Sequence, residues 1–395
     1  MTRYLIRQFV ISLIKLFVFL TFMFFFIQIV MPGDFVDQFA MGCDAACREE
    51  MRHQLGLDLP LWNRYFHWLG QVVRLDFGES MFGEPILDIF KRVIPPTLLV
   101  FVIGTVLAFM IGLWLGKVTS WRDRGIGSRL ITLVGLVLFT SFPPWLTYLV
   151  TYLITKGGVF QVVGGRGGLH APNFTSLDRL LWQKVELSPS EVIITMMICV
   201  VISALVLFLL KFIYERLTKS KVPTLMIVFL TGLWAVSGWQ MWRIHDLAFD
   251  IMSIAYIPMV TYILLTFGEF MLIMQASMRD VKNSEYVQIA RAKGLPESTV
   301  RDLHAARNAL LPVLSRLVIS LPYLITGVVI IESSVGWPGL GTNLWNALYW
   351  QNMPVVMNTL LIVGIISLGA RLIIDVIAAY LDPRIRYQDF QTNHT

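Results

Sequence analysis

Long apolar runs alternate with short polar connections along most of this chain. A helix needs about 20 mostly apolar residues to cross a bilayer. Backbone groups in lipid must bond to one another, so such runs are predicted to be helical. The pattern therefore predicts an all-α integral membrane protein. The predicted spans are 9–31, 97–116, 130–155, 192–213, 224–242, 251–275, 313–331 and 355–380.

The first of these runs could be mistaken for a signal peptide. It is long, and it ends at Met31-Pro32-Gly33-Asp34 without a small-residue cleavage site. We therefore expect it to be retained as a span.

The most informative polar stretch, 279–312, separates two predicted spans. A charged insert of this length must lie in water. Glu285 suits the positive N-terminal end of a short helix, which Asn283 or Ser284 can cap. Gly294 can adopt the left-handed conformation that ends the helix. The stretch therefore predicts a short helix lying across one face of the membrane.

Small side chains at Ala290 and Ala292 keep this short helix slim enough for close approach. Beyond it, Pro296 is predicted to open a second helix towards Asn308, and Pro312 to begin the next span. A helix bracketed by two membrane helices can dock in a groove of a soluble partner. It can equally rest on lipid headgroups, and physical chemistry alone leaves both interpretations open.

Composition supports the membrane assignment, because 56% of the residues are hydrophobic and only 15% are charged. The net charge of +6 does not indicate nucleic acid, since Lys and Arg cluster in alternate connections and 332–354 contains neither. By the positive-inside rule, the basic connections, including 279–312, and both termini are predicted to be cytoplasmic. The loops 32–96 and 156–191 are long enough to be translocated regardless of charge.

The three cysteines do not form a disulfide framework. Cys199 lies in an apolar run and is expected to be an ordinary apolar packing residue. Cys43 and Cys47 lie four residues apart in a predicted external loop, where they can pair if the loop is helical and the compartment is oxidising. A metal site at these two thiols is the less favoured interpretation.

Two proline pairs mark the predicted spans. Pro95-Pro96 is predicted to end the external segment just before the second span. Pro143 and Pro144 lie inside the third span, where proline removes backbone hydrogen bonds and kinks a helix. A structural kink and a pathway role both fit. We favour the pathway, because discontinuous spans often line transport routes.

Ionisable residues inside spans are functional candidates. Glu269 lies in the sixth span, and its role is left open. Glu332 lies at the outer end of the seventh span, beside Trp337-Pro338-Gly339, where an outer gate is expected. Arg371 and Asp375 are four residues apart and can pair on one helix face, which favours mutual neutralisation over function.

No motif for nucleotide binding or catalysis occurs in the sequence. The nearest match to a P-loop, 112–119, is one residue short and has Val118 where Ser or Thr would hold magnesium. Gly112 and Gly116 are better explained by close helix packing. HExxH and GxSxG motifs do not occur either. We therefore assign no catalytic residue, cofactor or metal to this chain.

The stretch 285–312 resembles a loop of the integral permeases of binding-protein-dependent ABC importers, and more narrowly the first permease of the dipeptide, oligopeptide and nickel branch. The matching residues are Glu285-Tyr286-Val287-Gln288-Ile289-Ala290-Arg291-Ala292-Lys293-Gly294-Leu295, then His304 and Arg307-Asn308-Ala309-Leu310-Leu311-Pro312. Further landmarks are Pro32-Gly33-Asp34, Leu55-Gly56-Leu57-Asp58 with Pro60, Asp76-Phe77-Gly78-Glu79-Ser80, Glu332, Trp337-Pro338-Gly339-Leu340-Gly341, Pro354-Val355-Val356 and Asp382-Pro383-Arg384-Ile385-Arg386.

This resemblance implies a type I permease core of six transmembrane helices in the cell membrane, paired with a second homologous permease around one pathway. It also implies an external binding protein and two cytoplasmic ATPases that bind ATP and magnesium. ATP binding would close the ATPases and turn the pathway outward by rigid-body motion. The ATPase-coupling residues would be Glu285, Tyr286, Gln288, Ala290, Arg291, Ala292, Lys293, Gly294 and Leu295.

Three positions depart from the family pattern. Gln288 stands where the broad family has Glu, although Gln is common in the peptide branch. Gln275 stands where the branch often has Arg, and Asn352 where it frequently has Asp. These departures concern gating and solute contacts rather than coupling.

Length is the largest departure, because an apolar pair is added to the six-span core. The number of added spans must be even to keep the stretch 279–312 in the cytoplasm, which supports two. A single added span would place this stretch outside. We therefore expect about eight spans, with the added hairpin packed peripherally rather than in the pathway. The expected organisation is a first helix and external segment in 1–96, spans and an external loop in 97–191, the hairpin in 192–242, the permease core in 251–381 and a cytoplasmic tail in 382–395.

The expected function is that of a permease for peptides, with oligosaccharides or nickel complexes as alternative solutes. A secondary transporter or channel is the competing class. It would need ion-coupling acids near the midplane and no ATPase, and Glu269 is the only suitable acid. A membrane scaffold or sensor is a third class, but it would not explain why the chain has a short helix on its cytoplasmic face.

Overall fold

The computed structural model describes residues 2–30, 34–39, 44–74, 76–121, 125–155, 177, 182–183, 185–218 and 224–381. Over these residues the chain is helical apart from turns and one isolated β-bridge. The predicted all-α fold is therefore confirmed for the described part of the chain. The helices are α1 (Thr2–Val30), α2 (Phe35–Phe39), α3 (Ala45–Gln54), α4 (Leu61–Val73), α5 (Ile86–Trp121), α6 (Ile126–Phe139), α7 (Pro143–Thr155), α8 (Pro189–Thr218), α9 (Thr224–Met241), α10 (His245–Lys282), α11 (Glu285–Ala292), α12 (Glu297–Thr299), α13 (Ala306–Val335), α14 (Leu340–Tyr349) and α15 (Met353–Leu381).

By length and composition, four helical stretches of the described chain can cross a membrane. They are Phe9–Val30 of α1, all of α5, Pro189–Leu217 of α8 and all of α10. A fifth is obtained if α6 and α7 form one broken span. The three remaining predicted runs coincide with α9, α13 and α15. Over the described residues all eight runs therefore coincide with helices, with one break inside 130–155. The number of crossings and the side of the termini stay predictions.

The centre of the molecule is the packing of α5 against α10. A Cβ atom on Gly112 would lie 2.7 Å from the carbonyl oxygen of Phe267. A Cβ atom on Gly116 would lie 2.6 Å from Cβ of Met274. Any side chain at these glycines would push the two helices apart, so the prediction that they permit close packing is confirmed.

The prediction that Pro95-Pro96 ends the external segment is wrong, because α5 begins at Ile86 and runs through both prolines. Proline has no N–H, so Pro96 leaves the carbonyl of Arg92 without its helical donor. The hydroxyl of Ser190 on α8 donates to that carbonyl at 2.8 Å. A neighbouring helix therefore replaces the lost hydrogen bond, as is usual for proline in membrane helices.

The predicted third span, 130–155, is two helices rather than one kinked helix. The axes of α6 and α7 differ by 113° across a break between Phe139 and Pro143. Pro143 is the first residue of α7, where its missing N–H removes no helical hydrogen bond. The proline pair thus begins a new helix instead of bending an existing one.

The added apolar pair forms α8 and α9, which pack mainly on each other, with α8 also against α5. Cys199 of α8 is a buried free thiol whose sulfur lies 3.4 Å from the position of a Cβ atom on Gly238. Its expected role as a packing residue is therefore confirmed. Cys47 is disulfide-bonded, and Cys43, its predicted partner, lies outside the described residues.

The segment between α1 and α5 packs partly against the membrane helices. Tyr65 and Trp68 of α4 are buried beside Phe24 of α1 and Met357 of α15. The neighbouring aromatic residues of α4 are exposed. Gly56 follows α3 with a φ of 65°, a left-handed conformation that glycine adopts readily at a helix end.

Candidate coupling site and outer loop

The short helix predicted in 279–312 is present as α11, which begins at Glu285 as predicted. Ser284 precedes it, but its hydroxyl donates to the carbonyl of Val281 at 2.6 Å instead of capping α11. The predicted side-chain cap is therefore absent. Gly294 follows the end of the helix with a φ of 74°, which confirms the predicted left-handed turn.

The chain after this turn differs from the prediction. Pro296 is the residue before α12 rather than its first residue. A π-helical turn, Val300–Ala305, then joins α12 to α13, so the helix continues without a break. Pro312 lies inside α13 instead of beginning a new helix, and prolines are tolerated there when neighbours satisfy the freed carbonyl groups.

One face of α11 is packed and the other is open. Val287 and Ala290 are buried, with exposed fractions of 0% and 5%, against residues of α10 and α13. Tyr286 and Ile289 are 38% and 55% exposed. The predicted coupling residues Glu285, Gln288, Ala292, Lys293 and Gly294 are also exposed, and Arg291 and Leu295 are half-buried.

A cluster that no local sequence pattern predicts attaches α11 to the end of α5. The indole Nε1 of Trp121 donates to Oε2 of Glu297 at 2.9 Å, and Nε of Arg291 donates to Oε1 of the same carboxylate at 2.9 Å. Nζ of Lys282 and Cζ of Arg291 lie 5.7 Å and 5.2 Å from the centre of the Trp121 ring. Such distances permit cation–π attraction. We call these four residues the Trp121 clasp.

A second contact joins α5 to the same segment one turn earlier. Nζ of Lys117 lies 3.4 Å from Oδ1 of Asp302 in the π-helical turn. The guanidinium of Arg301 donates to both oxygens of Asp302, at 3.0 Å and 2.7 Å. The hydrogen bond from Arg301 lowers the pKa of Asp302 against the opposing effect of burial, and Lys117 lowers it further. Asp302 is therefore held as a carboxylate between two cations.

The predicted outer-loop residues are brought together at the start of α14. Glu332 is fully buried, and its Oε2 accepts a hydrogen bond of 2.7 Å from the backbone N–H of Gly341. A Cβ atom on Gly339 would lie 2.3 Å from Oε1 of Glu332. A side chain at 339 would therefore displace the carboxyl group of Glu332.

The same loop is attached to the other end of α5. Nε1 of the buried Trp337 donates to the carbonyl of Pro96 at 3.2 Å. The backbone N–H of Leu340 donates to the hydroxyl of Thr97 at 2.8 Å. Pro338 is half-buried between these contacts. Thr97 and Trp121 are 24 residues apart, about 36 Å at 1.5 Å per residue, so one helix contacts both candidate sites.

The other predicted pathway residues lie apart. Pro144 lines a groove of about 410 Å³ with Ser333 and Gly341, which places it beside the outer loop. Pro143 is half-buried next to it. Glu269 is half-buried on α10 and does not line this groove. In the described ranges no group of three His, Cys, Asp or Glu side chains could hold a metal ion.

Two family models match the chain. Residues 192–387 match the binding-protein-dependent transport system inner membrane component. Residues 1–83 match the N-terminal part of the membrane component of the same kind of transport system. The first match includes the coupling segment, the outer loop and all but the first three residues of the α8–α9 hairpin.

Curated relatives align along nearly the whole chain. An oligopeptide transport system permease protein of Bacillus subtilis is 28% identical over 390 residues, which cover 98% of this chain and 100% of that protein. A dipeptide transport system permease protein of Lactococcus lactis is 25% identical over 388 residues, with coverages of 98% and 100%. A glutathione transport system permease protein of Shigella flexneri is 25% identical over 391 residues, again covering 98% and 100%.

Proposed function

The chain belongs to the family of binding-protein-dependent transport system inner membrane components, and from this premise we propose that it is a permease subunit of an ATP-driven ABC importer. It forms half of the translocation pathway, and a second homologous permease forms the other half. Two cytoplasmic ATPases bind beneath the pair, and an external binding protein delivers the solute. The chain itself carries no catalysis, because ATP and magnesium belong to the ATPases.

The exposed face of α11 is the observation that carries this proposal. Tyr286 and Ile289 present apolar surface to the outside of the molecule although Val287 and Ala290 hold the opposite face in place. A rigidly held amphipathic helix with an open apolar face is suited to a groove on a partner. The Trp121 clasp favours a protein partner over lipid, because it fixes the helix in one orientation.

The proposed mechanical route to the outer loop is α5. At one end it contacts the coupling segment through Trp121 and Lys117, and at the other it contacts the outer loop through Pro96 and Thr97. Close packing of Gly112 and Gly116 on α10 makes the two helices move together. A displacement of α11 by the ATPases is thereby passed to the loop around Glu332 as rigid-body motion.

The proposed topology has both termini and the coupling segment in the cytoplasm and α2, α3 and α4 outside. The distribution of Lys and Arg supports it. The disulfide of Cys47 supports the same assignment, because disulfides persist in oxidising compartments. With α6 and α7 as one broken span, the chain has eight crossings.

Peptides are the proposed solutes, since the relatives named above are oligopeptide, dipeptide and glutathione permeases. The complete importer is reconstituted in vesicles with its ATPases and external binding protein, and uptake of labelled trialanine, dialanine and glutathione is followed. ATP-dependent uptake of at least one is expected. Uptake driven by an ion gradient without the ATPases would instead identify a secondary transporter.

A further inference from the structure

A cleft lies between α1, α4 and the start of α15, away from the coupling segment and the outer loop. It has a volume of about 460 Å³, within the range of about 300–1,000 Å³ typical of small-molecule pockets. Its walls include Gln28 of α1, Met353 and Asn358 of α15, and the loop around Glu79. Pro143, Glu269, Glu332 and Trp337, which the sequence suggested for the pathway, do not line it.

Two opposite charges line this cleft. Arg64 lies on α4, and Glu79 lies in the loop after it. Arg64 is half-buried, and Glu79 is exposed. Burial lowers the pKa of Arg64, although Asp34 acts in the opposite direction. Asp34 offsets the charge of this partly buried cation only in part, so Arg64 can still attract an anionic group of a ligand in the cleft, and Glu79 can attract a cationic one.

The orientation of α4 distinguishes this cleft from a lipid-facing surface. Trp62 and Phe66 are 62% and 61% exposed on one side of the helix. Arg64, His67 and Gln71 line the cleft on the other side, about 150° around the axis at 3.6 residues per turn. Aromatic side chains suit the membrane interface. The cleft therefore faces away from lipid, which favours a water-soluble ligand over a headgroup.

The uncharged polar groups of the cleft suit amide bonds. Gln28, Gln54 and Gln71 add side-chain amides to the wall. The amide nitrogen of Asn358 already donates to the carbonyls of Phe77 and Pro354, at 3.1 Å and 2.9 Å. The Asn358 Oδ1 atom and the Trp68 Nε1 atom are buried without a hydrogen-bond partner among the described residues. Buried polar atoms are normally paired, so these two are unsatisfied polar groups within residues that line the cleft.

We propose that this cleft binds a short zwitterionic peptide, with Arg64 binding its carboxylate and Glu79 its ammonium group. The site is an external contact for the solute before it enters the pathway. The assignment of the solute class rests on the proposed function, whereas the charges and the shape of the cleft do not.

The test uses the complete importer in nanodiscs without its external binding protein, and radiolabelled trialanine as the probe. Wild type is expected to bind trialanine. Arg64→Gln is expected to weaken that binding about tenfold or more, because a charge-assisted hydrogen bond is lost. It should leave binding of trialanine amide, which lacks the carboxylate, unchanged. Arg64→Lys keeps the cation and should retain part of the affinity.

The reciprocal test uses Glu79→Gln, which should weaken trialanine binding by a similar factor but leave binding of N-acetyltrialanine unchanged. Arg74→Gln and Glu50→Gln are matched controls, since both residues are exposed and neither lines the cleft. Both controls should bind trialanine as wild type does. Basal ATP hydrolysis and gel filtration report whether each variant assembles.

Absence of trialanine binding to wild type, or equal binding by assembled wild type, Arg64→Gln and Glu79→Gln, would overturn the site. So would an Arg64→Gln variant that loses only its association with the external binding protein or with phosphatidylglycerol vesicles. Failure of the proposed function has a different signature, which is loss of ATP-dependent uptake by the wild-type importer with its binding protein present.

Discussion

The indole Nε1 of Trp121 lies 2.9 Å from Oε2 of Glu297 and donates a hydrogen bond to it. The two residues are 176 positions apart in the chain. Their contact attaches the last residue of α5 to α12, immediately after the turn that ends α11. The proposed coupling helix is therefore fixed to the central helix of the molecule as well as to its own neighbours in sequence.

Replacing Trp121 should weaken coupling between ATP hydrolysis and transport. Trp121→Ala removes a hydrogen bond worth about 1 kcal/mol and cation–π contacts worth about 0.5–1 kcal/mol at exposed sites. We expect uptake per ATP hydrolysed to fall several-fold while the complex still assembles. Trp121→Phe keeps an aromatic ring, so its uptake per ATP hydrolysed should lie between that of wild type and that of Trp121→Ala. Trp114→Ala on the same helix is the control, because Trp114 is exposed and outside the clasp. Equal coupling in all variants would contradict a role for the clasp.

The effects of substitutions at Gly294 should depend on the backbone conformation that the new residue tolerates rather than on the size of its side chain. Its φ is 74°, and a Cβ atom there would meet nothing within 4 Å. Gly294→Val should therefore reduce solute-stimulated ATP hydrolysis strongly, whereas Gly294→Asn should be milder, since Asn tolerates left-handed backbone. Gly70→Ala, at a site with equal space and no positive φ, is the control. If Gly294→Val and Gly294→Asn reduced solute-stimulated ATP hydrolysis equally, the left-handed backbone of Gly294 would not be the cause.

The two alanines of α11 should respond differently to a larger side chain. Ala290 is buried, so Ala290→Leu overpacks its cluster, which typically costs about 1–3 kcal/mol and should lower the thermal midpoint of the purified chain. Ala292 is exposed, so Ala292→Leu should leave that midpoint unchanged but reduce co-purification of the ATPases. A stable Ala290→Leu protein with intact coupling would contradict the assignment of the two faces.

Glu332 should tolerate replacement by Gln better than by Ala. Gln keeps an oxygen that can accept from the N–H of Gly341, whereas Ala leaves this buried donor unpaired, at about 1–3 kcal/mol. We expect Glu332→Ala to destabilise the chain and reduce uptake, and Glu332→Gln to retain stability. Loss of uptake in a stable Glu332→Gln protein would assign the carboxyl proton or charge itself a part in gating.

Asp34 should make a stability contribution that disappears only in acid. Partial burial raises the pKa of Asp34, but hydrogen bonds from Arg52 and from the backbone of Asp37 outweigh this, so the pKa lies below 3.8. Because the folded pKa is depressed, the contribution is complete above pH 3.8 and is lost as pH falls through the lower folded value. Asp34→Asn should therefore lower the thermal midpoint at pH 7 and pH 5 alike. If the difference in thermal midpoint between wild type and Asp34→Asn disappeared between pH 7 and pH 5, the pKa of Asp34 would not be lowered.

The helical runs and the turn at Gly294 could be predicted because they depend on local properties, namely apolar length and backbone conformation. The helix through Pro95-Pro96 could not be predicted, because the donor that compensates for Pro96 is Ser190, far away in the sequence. The sequence does not distinguish a kink from a break at Pro143, since proline fits both inside and at the start of a helix.

The contacts of the candidate sites were harder to predict. Glu332 and Trp337 could be grouped because they are close in sequence. Trp121, Glu297, Arg64 and Glu79 could not be placed in sites, because their significance depends on helices that meet only in the folded chain. No local pattern distinguishes such a tryptophan or arginine from an ordinary interfacial one.

Docking of α11 on the ATPases is the central claim, and site-specific photocrosslinking tests it most directly. A benzophenone amino acid is placed at 289, on the exposed face, and at 287, on the buried face, in the assembled importer. The account predicts an ATPase adduct from 289 whose yield changes when ATP is bound, and none from 287. An adduct from 289 with lipid alone, with or without ATP, would contradict it.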